Sequence, residues 1–589
     1  MFDVGVETPA PPPDWVANEQ LLWHAMREGE SLDLTSDGSG NGAPPSAGSQ
    51  RQQVTAGAIT RLLLQPPPSA PSVVSRLQLI GAHVTGRLAL RYATVAIPVA
   101  LVDCEFDEPL ELDHATLGAV DLSGCRLPAL HADGLQVAGD LTLTGLSGGS
   151  VSLFRAEVSG NLWLNAARIA GNEASYAADL AQLQVRGGLY ASSIYVTGGL
   201  NLWGARADSI ELDNAYLASD TGPALRGDGL SVVQDLTCSR LTVPNGGISL
   251  FGATIGGQLW LNNADLGNAS HWAVNAPQMT VGGGVYGTGL IAHGAMNLFA
   301  AVVGASVELP ACTLTSDSQN SLRAPGVRIG GSFILDHGAH LEGDVDLSRT
   351  EIKEALTFAS ASFSADTIVD LRRASVGTLN MTTLTASPQA FDLRGASIES
   401  IDDEPDSWPS RIALDLFTYR ALNLVLPASR RLVWLARGTD GYHPQPYEHL
   451  ATHYRRLGHD DDARAVLLAR HQIRRRTLRP SARFWSYLED VTVGYGYRPG
   501  RALVWLLVLT AVIAVVFTAT PPRPAQPSGP TFQAIAFALD ILLPVLDLGQ
   551  EKAFIPVGTS QWVAWVGSLT GWILATTAIA GLTRRLTKP

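Results

Sequence analysis

Short stretches of the form G-x-Φ-x-Φ, with Φ apolar, recur along the middle of this 589-residue chain, and no other feature limits the fold as much. They read GDLTL (139–143), GNLWL (160–164), GGLYA (187–191), GGLNL (198–202), GGQLWL (256–261), GGVYG (283–287), GGSFIL (330–335) and GDVDL (343–347). The first apolar residues anchor a series: Leu141, Val151, Leu162; Leu189, Leu200, Ile210; Leu236, Ile248, Leu259; Val285, Met296, Val307. It closes with Phe333, Val345, Leu356, Ile368 and Leu379. Anchors lie 10–12 residues apart within a group and 26 or 27 between groups, which makes a super-repeat of 47–49 residues. Each larger step carries a polar insertion at the same phase: 171–179, 218–228, 267–277 and 316–325.

A helical solenoid needs 3.6-residue periodicity and runs of helix formers. Here apolar residues alternate in short stretches bounded by Gly, Ser, Asp and Asn, which is strand chemistry with turns at fixed intervals. Two anchors make a rung of roughly 22 residues, and stacked rungs bury Leu, Val and Ile as parallel strands. The expected fold is mostly β: a right-handed parallel β-helix over 71–400, with the insertions stacked as a column of loops. Residues 15–33 and 51–64 read as helices, giving a helical N-terminal cap over 1–70 with a flexible linker at 36–50. The repeat is expected to stop near residue 400. A helical connector and a basic juxtamembrane segment follow over 401–500, where Tyr447, Ala451, Tyr454, Gly458 and Ala463 have tetratricopeptide-like spacing.

A longer echo, 96 or 97 residues, pairs VSLF (151–154) with ISLF (248–251) and NLWLNAA (161–167) with QLWLNNA (258–264). In an L-x-L stretch the middle residue points away from the core, so Trp163, Tyr190, Trp260 and Tyr286 fall on one outer face. Two readings stand: the insertions fold over these rings, or the rings form a strip that binds a ligand or partner.

Charge divides the chain. Residues 1–437 carry 25 Lys+Arg against 44 Asp+Glu, and residues 438–589 carry 16 against 10. An acidic body is a poor nucleic-acid partner. The opening MFDVGVETPAPPPDW has neither a basic nor an apolar signal region, so no secretory leader is expected. Residues 502–519 and 562–582 are uncharged apolar runs, each long enough to cross a hydrocarbon core. Arg474, Arg475, Arg476, Arg479, Arg483, Arg498 and Arg501 precede the first, and Arg584, Arg585 and Lys588 follow the second. Only Arg523 and Lys552 lie between. The positive-inside bias then places both termini and the β-helix in the cytoplasm, with a two-span hairpin over 501–589 in a bacterial inner membrane. The arginine collar is a candidate site for anionic lipid, at about 1 kcal/mol per Arg. Between the spans, 531–549 is apolar but broken by Asp540, Pro544 and Asp547, and reads as an interfacial helix or a re-entrant pore segment, with Asp540 and Asp547 as its candidate polar residues.

Motifs that resemble catalytic chemistry do not survive their context. Gly282, Gly284 and Gly287 spell G-x-G-x-x-G inside a rung, where no helix N-terminus meets a phosphate. They read as tight packing at a β-helix corner. His449 and His453 share a helix face without a fixed third metal ligand and read as a solvated polar face. Thr492-Val493-Gly494-Tyr495-Gly496 spells a potassium-filter sequence, but it precedes the first span and has no earlier helix to cradle it; a turn laying Tyr495 and Tyr497 at the headgroups is the expected use. Cys104, Cys125, Cys238 and Cys312 form no CxxC pair and are expected as reduced thiols. No catalytic, metal or cofactor site is expected.

The β-helical body, the helical connector, two C-terminal spans and the junction Gly494-Tyr495-Gly496-Tyr497-Arg498-Pro499-Gly500-Arg501 together resemble a group of actinobacterial membrane proteins with pentapeptide-like β-helical bodies. Members are often labelled membrane-associated oxidoreductase, so the resemblance implies a redox activity; no flavin, nicotinamide, haem or iron–sulfur signature accompanies it here. From the residues themselves, the expected function is a membrane-anchored interaction scaffold with an unidentified protein partner. The alternative is a homo-oligomeric pore gated by the β-helical body.

Overall fold

The computed structural model describes residues 10–35, 52–70, 73–171, 176–438, 441–493, 495, 500–526, 530–543 and 546–586. The expected linker at 36–50, Tyr497, Arg498 and Pro544 lie outside them. The chain forms two compact units, 1–425 and 426–589.

Unit one is a parallel β-solenoid of about 15 turns. Its rung has four faces, and over much of the stack each contributes a strand of only two or three residues. One rung runs through Val120–Asp121, Arg126–Leu127, Leu130–His131 and Gln136–Val137 before Leu141–Thr142 begins the next. On the first and third faces the first residue of each strand points inward; on the second and fourth the second residue does. The rung therefore buries Val120, Leu122, Cys125, Leu127, Leu130, Ala132, Leu135 and Val137. Every strand pairs in parallel with its equivalent one rung away, as in Val120↔Leu141, Leu141↔Leu162 and Leu162↔Leu189. Burying a Val, Leu or Ile side chain contributes about 1.5–3 kcal/mol, so the apolar column, not any single strand, holds the stack together.

Two corners of the rung need a residue with positive φ. Gly supplies it at Gly124, Gly145, Gly204 and Gly252; elsewhere Arg155, Ala166, Gln182, Asn214, Arg240 and Asn263 hold φ of 53–57° at a steric cost. A third corner is set by close approach. A Cβ on Gly256 would lie 2.1 Å from the Val233 carbonyl oxygen, and on Gly282, Gly304 and Gly330 it would lie 2.3, 2.1 and 2.0 Å from the carbonyl oxygen of the glycine one rung before. Of the 282–287 glycines, Gly282 belongs to this ladder, Gly284 lies under the Tyr286 ring and Gly287 against Leu309.

The anchors of the repeat alternate between opposite faces: Leu141, Leu162, Leu189 and Ile210 line the first, and Val151, Leu200, Ile248 and Met296 the third. The 26- or 27-residue steps pass over an inward residue on the third face. Ala178, Leu225, Val274 and Leu322 fill those places in register. The insertions all open between the second and third faces, so they stack on one corner. Where the insertion at 267–277 is drawn into the sheet, strand Asp265–Asn275 bridges the two faces with shifts in register. Two expectations are corrected. Ile368 is 39% exposed, and Val369 takes the inward place paired with Val345, because the corner that precedes it, between Phe363 and Val369, is two residues longer than the one between Leu341 and Val345. The strands also continue past residue 400, through Arg411–Ala413 and Thr418–Leu422.

At the other end, α1 (Ala17–Glu28) and α2 (Ala56–Leu64) accompany strands Leu32–Asp33 and Gln53–Thr55, which pair with Leu79–Ile80 and His83–Thr85. Buried Glu19 joins them: its carboxylate accepts from the backbone of Val16 at 3.0 Å and from the Thr55 hydroxyl at 2.5 Å, while that hydroxyl caps α2.

Unit two is helical. α3 (Ala428–Ala436), α4 (Gln445–Arg456) and α5 (Asp460–Arg474) pack through Trp434, Leu450, Tyr454, Val466 and Leu467. The Tyr454 hydroxyl donates to the Leu426 carbonyl at 2.5 Å, and Asp462 caps α3 through the Ala428 N–H at 2.8 Å. α6 (Pro480–Val493) leads to α7 (Gly500–Ala519), α8 (Ala534–Leu542), α9 (Gln550–Ala553) and α10 (Thr559–Leu586). Among the described residues, one helix, α7, is long and apolar enough to cross a membrane.

Candidate functional site

The four expected rings stand on the first face at outward positions, and the structure joins them in two pairs. Trp163 stacks on Tyr190 with centroids 4.3 Å apart, and Trp260 on Tyr286 at 4.7 Å. Glu211 and Thr237 occupy the two rungs between. All four rings are half-buried: each tryptophan is covered by the tyrosine of the next rung, and each tyrosine by its own strand. A Cβ at Gly188 or Gly284 would fall 2.5 or 2.7 Å from the Tyr190 or Tyr286 ring, so each tyrosine lies flat over a glycine two residues before it. The Trp163 indole N–H points to Asp140 at 3.4 Å. The insertions rise from a different corner of the rung.

A second aromatic row went unread in the sequence. Immediately after the third face, at the first turn residue, stand Phe154, Trp203, Phe251 and Phe299. The turn residues between them are Ala181, Asp228 and Pro277, and backbone hydrogen bonds stack the whole corner rung upon rung. Trp203, Phe251 and Phe299 are 42, 48 and 39% exposed. Arg226 and Arg323, outward residues of the third face, lie over the Trp203 and Phe299 rings at 5.8 and 5.5 Å. The signal was in the VSLF and ISLF echo: its last residue, not its middle one, carries the ring to the surface.

The third face is thus the floor of a groove. Its outward ladder reads Asp179, Asn201, Arg226, Ser249, Asn275, Asn297 and Arg323. Neighbours along it are tied, Asn201 donating to Asp179 at 2.9 Å and Asn297 to Asn275 at 2.9 Å, while Arg226 donates to the turn residue Asp228 of its own rung at 3.1 Å. The aromatic row borders it on one side and the column of insertions on the other. From that column Tyr176 leans over the floor, its phenol raised above its ordinary pKa by burial even beside Arg226. Two rungs on, the groove opens into a cleft of about 610 Å³ between Asp220–Pro223, Asn245, Ser249, Trp272 and Asn275.

In unit two the arginine collar is not uniform. Buried Asp490 holds Arg475 at 3.1 Å and Arg501 at 3.8 Å, while Arg474, Arg476, Arg479 and Arg483 are exposed. Arg498 lies outside the described residues. Tyr495 stacks on His471 at 4.8 Å and its hydroxyl meets Ser486 at 2.6 Å, so this ring packs within the unit. His453 is buried, which corrects the expectation of a solvated face. Among the described residues no cluster of three or more His, Cys, Asp or Glu is placed to hold a metal.

α8 packs against both α7 and α10 through Phe517, Phe537, Ile541 and Leu542. Its end presses on α10 so closely that a Cβ on Gly571 would lie 2.3 Å from the Leu542 carbonyl oxygen. Asp540 is buried there; its carboxylate accepts from the backbone N–H groups of Leu548, Gln550 and Glu551 at 2.5, 2.7 and 3.2 Å. Asp547 is exposed and paired with Lys552 at 2.5 Å. The two carboxylates therefore differ: one fastens the return of the chain, the other faces out.

No protein-family model, no curated protein and no solved structure matches this chain.

Proposed function

We propose that the protein is a membrane-tethered scaffold: a rigid β-solenoid that presents side-chain ladders to a partner, held at a bacterial inner membrane by α7 and α10 with both termini in the cytoplasm. The observation that carries the reading is the outward surface of α7, where Leu503, Val504, Leu507, Val508, Val512 and Val515 are all exposed. Such a contiguous apolar surface is solvated by lipid tails or covered by protein. The first half of α10 supports it with exposed Trp562, Trp565, Val566, Leu569, Trp572 and Ile573. Arg474, Arg476, Arg479 and Arg483 supply the basic edge that anionic headgroups attract. In this reading α1 and α2 cap the first rung, whose strand edges would otherwise recruit other chains. Truncation after residue 474 tests the tether: the truncated chain is expected in the soluble fraction and the full chain in carbonate-washed membranes. Recovery of the truncated chain in washed membranes would overturn it.

The position of α8 favours a second reading, an oligomeric pore. A short helix that enters between two spans and ends against the middle of α10 has the form of a re-entrant segment. A single copy of two spans encloses no channel. The mass of the detergent-solubilised protein, by light scattering with detergent subtracted, separates the two: a monomer excludes the pore, and a closed ring of three or more copies supports it.

A further inference from the structure

The groove on the third face has a period. Trp203, Phe251 and Phe299 are 48 residues apart and occupy every second rung; Phe154, 49 residues before Trp203, extends the row. Strands stack at ~4.8 Å, so the rings recur at ~9.6 Å. That is close to the length of one disaccharide in an extended 1,4-linked β-glycan, in which alternate sugars present the same face. Pyranose rings lay their C–H faces on aromatic rings, and their hydroxyls take hydrogen bonds from amide, carboxylate and guanidinium groups. Both kinds of partner are present in the right places: the rings along one border, and Asp179, Arg226, Asn275 and Arg323 on the floor beside them.

We propose that this groove binds a linear, uncharged β-1,4-linked glycan, one disaccharide per pair of rungs, with the 610 Å³ cleft at Trp272 and Ser249 as a deeper subsite. This goes beyond the scaffold reading: it rests on unit one alone, and on neither the membrane tether nor the side of the membrane on which the body lies. Other occupants fit less well. An added β-strand finds no free edge, because the backbone of the third face is already paired above and below on every rung. A polyanion meets Asp179, Asp220 and Asp228 in a body that carries 25 Lys+Arg against 44 Asp+Glu.

The test uses the full-length protein in detergent, titrated calorimetrically with cellohexaose, chitohexaose and, as the bent-chain control, maltohexaose. The proposal expects cellohexaose or chitohexaose to bind at least tenfold more tightly than its disaccharide. It also expects Trp203→Ala and Phe251→Ala each to weaken that binding tenfold or more. Trp260→Ala, on the first face, is expected to leave it unchanged. An unaltered circular dichroism spectrum confirms that each variant is folded. The proposal is overturned if neither β-linked hexamer binds, if maltohexaose binds equally well, or if the variant lacking Trp203, Phe251 and Phe299 binds as the parent does. Retention in washed membranes, measured on the same variants, reports on the tether separately.

Discussion

All four cysteines are free thiols on the inner wall of the solenoid. Burial pushes Cys312 up to about 12 and Cys238 higher still, while a hydrogen bond with Cys104, together with burial, raises Cys125. The thiolate is the reactive form, so iodoacetamide at pH 8 is expected to label none of them in the folded protein and all four in guanidinium; rapid labelling of the native chain would contradict this packing. Gly304 offers a second residue-scale test. Gly304→Ala places a methyl group 2.1 Å from the Gly282 carbonyl oxygen, and overpacking of this kind costs about 1–3 kcal/mol. The expected result is a lowered thermal midpoint, while Gly229→Ala, with no atom near its Cβ, is destabilised by backbone strain alone. Single positions were also where reading the sequence failed. Ile368 and Val369 are equally apolar, and only the length of the preceding turn decides which faces inward. On the second and fourth faces the inward residue is a single side chain of varied size, as in Arg126–Leu127, Glu157–Val158 and Arg206–Ala207, without the Gly-x-Φ flag that marked the other two.

At the scale of elements, α5, α6 and α7 meet at Asp490, which accepts from Gln472 and Arg475 and lies within 3.8 Å of Arg501. Asp490→Asn removes the charge from these bonds and is expected to cost about 2 kcal/mol, read as a lower unfolding midpoint of the helical unit. His471, stacked on Tyr495, has its pKa lowered by burial and by the neighbouring Arg470 and Arg474. Its imidazole therefore gains a proton in the unfolded chain before it does in the folded one. Stability is complete above the unfolded value of 6.5 and falls as pH drops below it. His471→Gln should flatten that dependence between pH 5 and 7. The helices of this unit were legible in outline because Tyr447, Ala451, Tyr454 and Ala463 keep helical spacing. The seat of α8 against Gly571 was not, since a glycine within an apolar run gives no sign of what presses on it.

For the whole molecule, the repeat made the solenoid readable: a 47–49-residue period leaves few alternatives once each unit shows strand chemistry. The groove was hidden for the same reason. The insertions look like interruptions in one dimension and become a border only when the rungs are stacked, and the rings opposite them sit at turn residues rather than in the L-x-L stretches. Because Ile210 and Leu259 are equivalent positions two rungs apart, deleting 210–258 is expected to give a folded, shorter solenoid with an unchanged β-sheet spectrum. Deleting 210–220, half a rung, moves inward residues outward and is expected to give an insoluble chain.

That equivalence makes length a quantised property of the body. Each duplication of the two-rung unit moves one end of the solenoid ~9.6 Å farther from the other while leaving every corner, ladder and pairing as it was. A chain built this way is a ruler that lengthens by whole graduations.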